Sequence, residues 1–193
     1  KFDADRLCGF LKDCGARYFV PFLKHHDGFC LWDSTWTQRT SVRRGPKRDF
    51  AAEMVAACRA QGLKFGFYFS TGEWEYPFLA DDGRVEVRPG GLGTGAPWPT
   101  DREEFETRIS GKVAVRDYRR EYAIPQAVEF IDRYDPDLVW FDGEWDSPWQ
   151  FLGSADITAY FYNRAEGRKE VAVNDRFGLR RALSAQHTRQ EMF

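Results

Sequence analysis

The chain has 193 residues, with 28 Lys+Arg against 30 Asp+Glu and a formal net charge of −2. That balance argues against a nucleic-acid-coating or polybasic membrane-surface protein, because phosphate neutralisation needs a basic surplus on one face. Apolar residues make up 42% and aromatics 17%, too much ring surface for a disordered chain, and no run approaches the roughly 18–20 apolar residues of a membrane span.

Residues 3–14 carry helical spacing of Leu7, Phe10, Leu11 and Cys14 and stop at Gly15, a helix-ending residue. The chain begins at Lys1 within this pattern and is read as a piece of a longer protein. Residues 16–23 form a near-continuous apolar run, the mark of a strand buried on both faces in a parallel sheet. Pro21 sits badly in it, since it removes a ladder donor. A loop over 24–46 leads to a helix from Pro46 to Ala60, with Gly62 just beyond it. Residues 63–70 are a second strand. The stretch 71–112, rich in Gly and Pro around 89–97, is expected to be an irregular insertion. A helix over 117–134 kinked at Pro125, a strand at 137–142 ended by Gly143, a helix at about 154–166 and a strand at 170–175 complete the order.

Strict helix–strand alternation predicts an α/β fold with parallel strands and helical crossovers, either a (β/α) barrel or a doubly wound sheet. Gly91-x-Gly93 precedes no helix, so no dinucleotide cofactor is expected. The cysteines Cys8, Cys14, Cys30 and Cys58 form no C-x-x-C pair and read as small hydrophobes, neither zinc ligands nor a disulfide scaffold.

Polar groups gather after each strand: His25-His26-Asp27-Gly28; Tyr68 and Ser70, then Glu73-Trp74-Glu75; Asp142-Gly143-Glu144-Trp145 after Trp140; and Asn174-Asp175-Arg176. The C-terminal face of the strands is the catalytic rim of barrel enzymes. A single His or an Asp-Gly turn would ordinarily be structural, but the same placement on four units is not. Indole beside carboxylate and imidazole in a near-neutral chain suits a sugar, whose C–H face stacks on Trp while its hydroxyls seek polar partners. Glycoside cleavage needs two carboxyl groups, and Asp142, held by a strand end, is the better-placed nucleophile.

In their order, Lys24-His25-His26-Asp27-Gly28-Phe29-Cys30-Leu31-Trp32, Arg43-Arg44-Gly45-Pro46-Lys47-Arg48-Asp49, Gly66-Phe67-Tyr68-Phe69-Ser70, Trp140-Phe141-Asp142-Gly143 and Val173-Asn174-Asp175-Arg176 resemble the α-L-fucosidases of glycoside hydrolase family 29. The resemblance covers about residues 2–178. It implies a partial (β/α)8 TIM-like barrel of about four βα units. Residues 1–193 would be a fragment of one catalytic domain acting as a retaining exo-glycosidase on fucosylated oligosaccharides or glycoconjugates. It implies Asp142 as nucleophile, and His25, His26, Tyr68, Trp140 and Arg176 around the sugar, with no metal or cofactor. It also suggests a periplasmic, secreted or lysosomal setting. Glu191 stands at about the family's distance for the acid/base, although Leu179–Gln190 does not read as the family's loop there, and the family's first-strand motif would precede Lys1. Two other readings stand beside it: a non-catalytic fucose-binding remnant, and a metal hydrolase using His25, His26, Asp27 and Asp142. Adjacent histidines on a strand would diverge, which argues against the metal. The open edges and flank of a half-barrel favour association, a homo-oligomer included.

Overall fold

The computed structural model describes residues 2–90, 99–143 and 148–177. Helix α1 (Ala4–Asp13) is capped by Asp3, whose side chain accepts from the Arg6 N–H at 3.0 Å. The first apolar run is two short strands rather than one, β1 (Tyr18–Phe19) and β2 (Phe22–Lys24). Pro21 divides them, lacking an N–H but still offering its carbonyl to Tyr68. Helix α2 (Phe50–Ala60) starts later than expected, at Phe50 instead of Pro46. Lys47 has a left-handed φ of 58°, and Asp49 takes the cap by accepting from the Ala52 N–H at 2.9 Å.

β3 (Lys64–Ser70) is the central strand. The stretch after it corrects the expectation of an irregular insertion. It holds β4 (Glu73–Leu79) and β5 (Val85–Gly90), paired antiparallel, and helix α3 (Arg102–Arg108). The helix expected over 117–134 is a π-helical turn, Arg119–Ala123, leading into α4 (Ile124–Tyr134). Pro125 cannot donate into a regular α-turn, and the wider turn absorbs that loss. β6 (Leu138–Asp142), a short α5 (Trp149–Leu152), α6 (Ser154–Ala165) and a two-residue β7 (Ala172–Val173) follow.

The main sheet runs β1–β3–β6–β7, with β2 also on β3, and every pairing is parallel. Helices α2, α4 and α6 carry the chain between its neighbouring strands, the order expected of successive βα units. Alternation sorts β3 into two faces. Phe65, Phe67 and Phe69 point into a core with Cys8, Met54, Val55, Phe130, Phe141 and Phe161, and the Phe67 and Phe130 rings stack at 4.1 Å. Gly66 and Tyr68 lie on the opposite face. There a Cβ on Gly66 would come within 2.5 Å of Val20 Cγ2, so any larger residue would have to displace the Val20 side chain.

Tyr76 and Phe78 of the insertion form a small second core with Val115, Tyr118 and Tyr122, which follow it in the chain. A buried charge group joins it to the sheet. The Glu73 carboxylate is fully buried, 2.9 Å from Lys24 Nζ and 2.8 Å from Lys112 Nζ, and accepts from the Tyr122 hydroxyl at 2.6 Å. Lys24 also donates to Gln126 Oε1 at 2.9 Å and lies over the Phe69 and Tyr122 rings. Among the described residues no helix is long and apolar enough to cross a membrane.

Burial alone would raise the Glu73 pKa; Lys112 and Lys24, with hydrogen bonds from Lys112 and Tyr122, outweigh it and hold it down at about 2, against an ordinary 4.5. A depressed carboxyl contributes stability that is complete above its unfolded pKa and is lost as pH falls toward the folded one. The contribution, about 3 kcal/mol, therefore disappears between about pH 4.5 and about pH 2. Urea midpoints measured across that window should fall, and should fall less steeply for Glu73→Gln. Parallel slopes would assign the acid sensitivity to other carboxyls.

Candidate active site

The parallel register brings the strand ends level. Tyr68 pairs with Trp140 and Ser70 with Asp142. Asp142, the last residue of β6, is buried, with its carboxylate toward the rim. The Tyr68 hydroxyl donates to Asp142 Oδ2, and His26 Nε2 lies 3.7 Å from the same oxygen. Oδ1 accepts from the Gly143 N–H at 3.0 Å and lies 3.0 Å from Arg176 Nη2. Burial pushes the Asp142 pKa up, but the His26 and Tyr68 hydrogen bonds and the Arg176 charge prevail and lower it. The carboxylate is thus kept ionised.

Arg176 arrives by a local device. β7 ends at Val173, and the Asn174 side chain continues the ladder in place of backbone. Its Oδ1 accepts from the Phe141 N–H at 2.8 Å, and its Nδ2 donates to the Phe141 carbonyl at 2.9 Å. Phe177 then stacks on Phe141 at 3.6 Å, fixing the turn that carries Arg176 between them.

The two histidines do not diverge as strand neighbours would. They follow the end of β2, in a turn, and their rings stand 4.5 Å apart, edge to face. His25 stacks with Phe22 at 5.5 Å and meets Trp74 edge-on at 5.7 Å. Burial, then the neighbouring His26, lowers the His25 pKa against the pull of Asp27 and Asp142. His26 is buried, its Nδ1 3.0 Å from the Gly72 carbonyl and in contact with Ser70 Oγ. A carbonyl only accepts, so this bond requires a proton on Nδ1 and turns Nε2 toward Asp142, to which Nε2 donates when the ring is the doubly protonated imidazolium.

Of the residues expected at a shared site, His26, Tyr68, Asp142 and Arg176 meet directly. His25 packs against that group. Trp140 is in register beside Tyr68 on the same face and is 37% exposed. Asp27 is exposed and accepts from the Phe29 N–H at 3.3 Å, which makes it a turn residue. Glu144, Trp145 and Glu191 lie outside the described residues. Among those described, no group of three His, Cys, Asp or Glu side chains is gathered as metal ligands. Sequence reasoning placed Ser70 and Glu73 at the strand end but missed that Ser70 and Gly72 hold the His26 ring. The available signal was the small polar run Ser70-Thr71-Gly72 and the acid Glu73 closing a largely apolar strand.

Each donor on Asp142 stabilises its charged form, so removing one should raise the carboxyl's pKa. Titration of the Asp142 side-chain carbon by 13C NMR should show that rise in Tyr68→Phe and in Arg176→Met. A pKa unmoved in both variants would mean that neither group touches the charge.

The chain matches the α-L-fucosidase family over residues 1–192. It is 31% identical to the tissue α-L-fucosidase of Bos taurus over 92% of its own length and 32% of that protein's, and 31% identical to the α-L-fucosidase of Branchiostoma floridae over 87% of its length and 32% of that one's. It superposes on the crystal structure of Thermotoga maritima α-fucosidase in complex with fucose with a TM-score of 0.64 at 31% identity, covering 93% of this chain and 37% of that one. The chain therefore spans about a third of the length of the proteins it matches. With the family match running nearly end to end, and the parallel strands and their polar rim agreeing with it, the chain belongs to the α-L-fucosidase family.

Proposed function

We propose that this segment carries the nucleophile and much of the sugar pocket of a retaining exo-α-L-fucosidase, acting on fucosylated oligosaccharides or glycoconjugates. The observation that carries the reading is Asp142: a buried carboxylate at a strand end, held ionised by Tyr68, His26 and Arg176. The relatives are α-L-fucosidases, and the Thermotoga maritima enzyme was solved with fucose bound.

In this reading an Asp142 oxygen attacks the anomeric carbon while the bond to the leaving oxygen breaks, and a carboxylic acid gives that oxygen its proton. Water, deprotonated by the same group, then opens the glycosyl-enzyme and frees Asp142. The two carboxyl groups of a retaining pair stand about 5–5.5 Å apart. Glu191 is the candidate for the second, on the strength of its distance along the chain from Arg176. Positive charge and hydrogen bonds on Asp142 match its roles as leaving carboxylate and charge stabiliser. His25 and His26 would bind sugar hydroxyls, and Trp140 would offer its exposed ring face to the sugar.

We further read residues 1–193 as part of a single barrel domain. The coverage of about a third of each relative supports that. So does the sheet face bearing Phe22, 56% exposed, and Trp140, which a closed barrel would turn inward.

The test is release of an aryl leaving group from an aryl α-L-fucoside. In the full-length setting Asp142→Ala should lose at least about 10⁴-fold in turnover while remaining folded, and azide, small enough for the vacated space, should restore release and yield the β-configured fucosyl azide. Unchanged activity would refute the nucleophile assignment. Residues 1–193 alone should bind fucose with little or no turnover. Strong turnover by them would show that the chemistry is already complete.

A further inference from the structure

The residues on either side of Glu73 hold both ends of His26. The Gly72 carbonyl lies 3.0 Å from the ring Nδ1, and the Trp74 N–H donates to the His26 carbonyl at 2.9 Å. Ser70 Oγ donates to the same Gly72 carbonyl at 2.9 Å. The place of that carbonyl decides which ring nitrogen keeps the proton and where Nε2 points. Glu73 itself does not touch His26 through its side chain. Its carboxylate instead ties three separate pieces of chain to this backbone: Lys24, adjacent to the histidine pair, at 2.9 Å; Lys112, from the far end of the insertion, at 2.8 Å; and Tyr122, from the π-helical turn, at 2.6 Å. Lys112 adds a bond to the Glu75 carbonyl at 2.6 Å.

A second observation comes from the turn that carries the histidines. Gly28 has a φ of 78°, and a Cβ there would lie 2.3 Å from Glu73 Oε2. The His-His-Asp-Gly turn therefore rests directly on the carboxylate, and its glycine is needed for that closeness as much as for its conformation.

We propose that Glu73 is a positioning residue for His26, fixing the tautomer and aim of its imidazole toward Asp142, and that Lys112 completes the lock, making the insertion a working part of the sugar site. The proposal rests on the sugar-site reading of Asp142 and His26. Glu73 carries no step of the chemistry. Charge explains the choice of residue: two buried ammonium groups need an anion between them, and the anion then pins the backbone that orients the ring.

The test uses the double variant Glu73→Gln/Lys112→Met. It preserves volume and leaves Lys24 as the group's cation, so the net buried charge stays as it is. The chain has three histidines, so imidazole 15N resonances can be assigned by single substitutions. In the unsubstituted chain His26 should carry its neutral-form proton on Nδ1. In the double variant, still melting cooperatively, His26 should show mixed Nδ1 and Nε2 protonation, and affinity for L-fucose should drop at least about tenfold. A folded double variant with the tautomer unchanged overturns the proposal. If the double variant does not fold, Lys112→Met, which leaves a neutral Lys24–Glu73 pair, decides the question by the same spectra: mixed protonation supports the lock, and an unchanged tautomer overturns it. Failure of the unsubstituted chain to bind fucose would count against the sugar-site reading, and the tautomer, read without sugar, would still decide the role of Glu73.

Discussion

Parallel pairing of β3 with β6 in one register is the constraint on which the rest of this structure depends. It sets Ser70 opposite Asp142 and Tyr68 opposite Trp140, so groups far apart in sequence emerge from the same edge at the same height. Because side chains alternate, the register that sends Phe67, Phe69, Val139 and Phe141 into the helical core also sends Tyr68 and Asp142 to the other face. A slip by one residue would bury the carboxylate among phenylalanines and expose the rings. The hydrophobic core thus enforces the geometry of the site without contributing an atom to it.

Much of this was legible in the residues. Runs such as Phe65–Phe69 and Leu138–Phe141, short and bounded by turn residues, read as strands covered by helices, and the polar residues directly after them fall at the rim. What was not legible has particular causes. The hairpin of β4 and β5 hides among Gly and Pro, and Pro77 inside β4 argues against a strand, although Asp82-Gly83 between the two is a hairpin turn signal. The break at Pro21 was visible as a conflict, but its outcome, two short strands on one partner, depends on what β3 can still pair with. The closeness of the histidine rings follows from a turn whose shape local sequence does not dictate. The role of Glu73 was hidden because its partners, Lys24 and Lys112, lie far from it along the chain.

The buried charges show why an insertion can be integral to a site. The small aromatic cluster of Tyr76, Tyr118 and Tyr122 could pack as an independent lobe. The Lys24–Glu73–Lys112 group prevents that independence, because separating the lobe from the sheet would strand charges in a low-dielectric interior. Asn174 does similar work at lower charge, replacing a length of strand with one side-chain amide that keeps Arg176 beside Asp142.

The brevity of the outer strands has a consequence for how the chain meets its surroundings. On one side of the sheet β1 and β2 are two and three residues long with a proline between them, and on the other β7 has two residues, followed by a side chain that occupies the next ladder position. Among the described residues, neither border presents the continuous row of free amides and carbonyls that templates amyloid-like stacking or strand exchange.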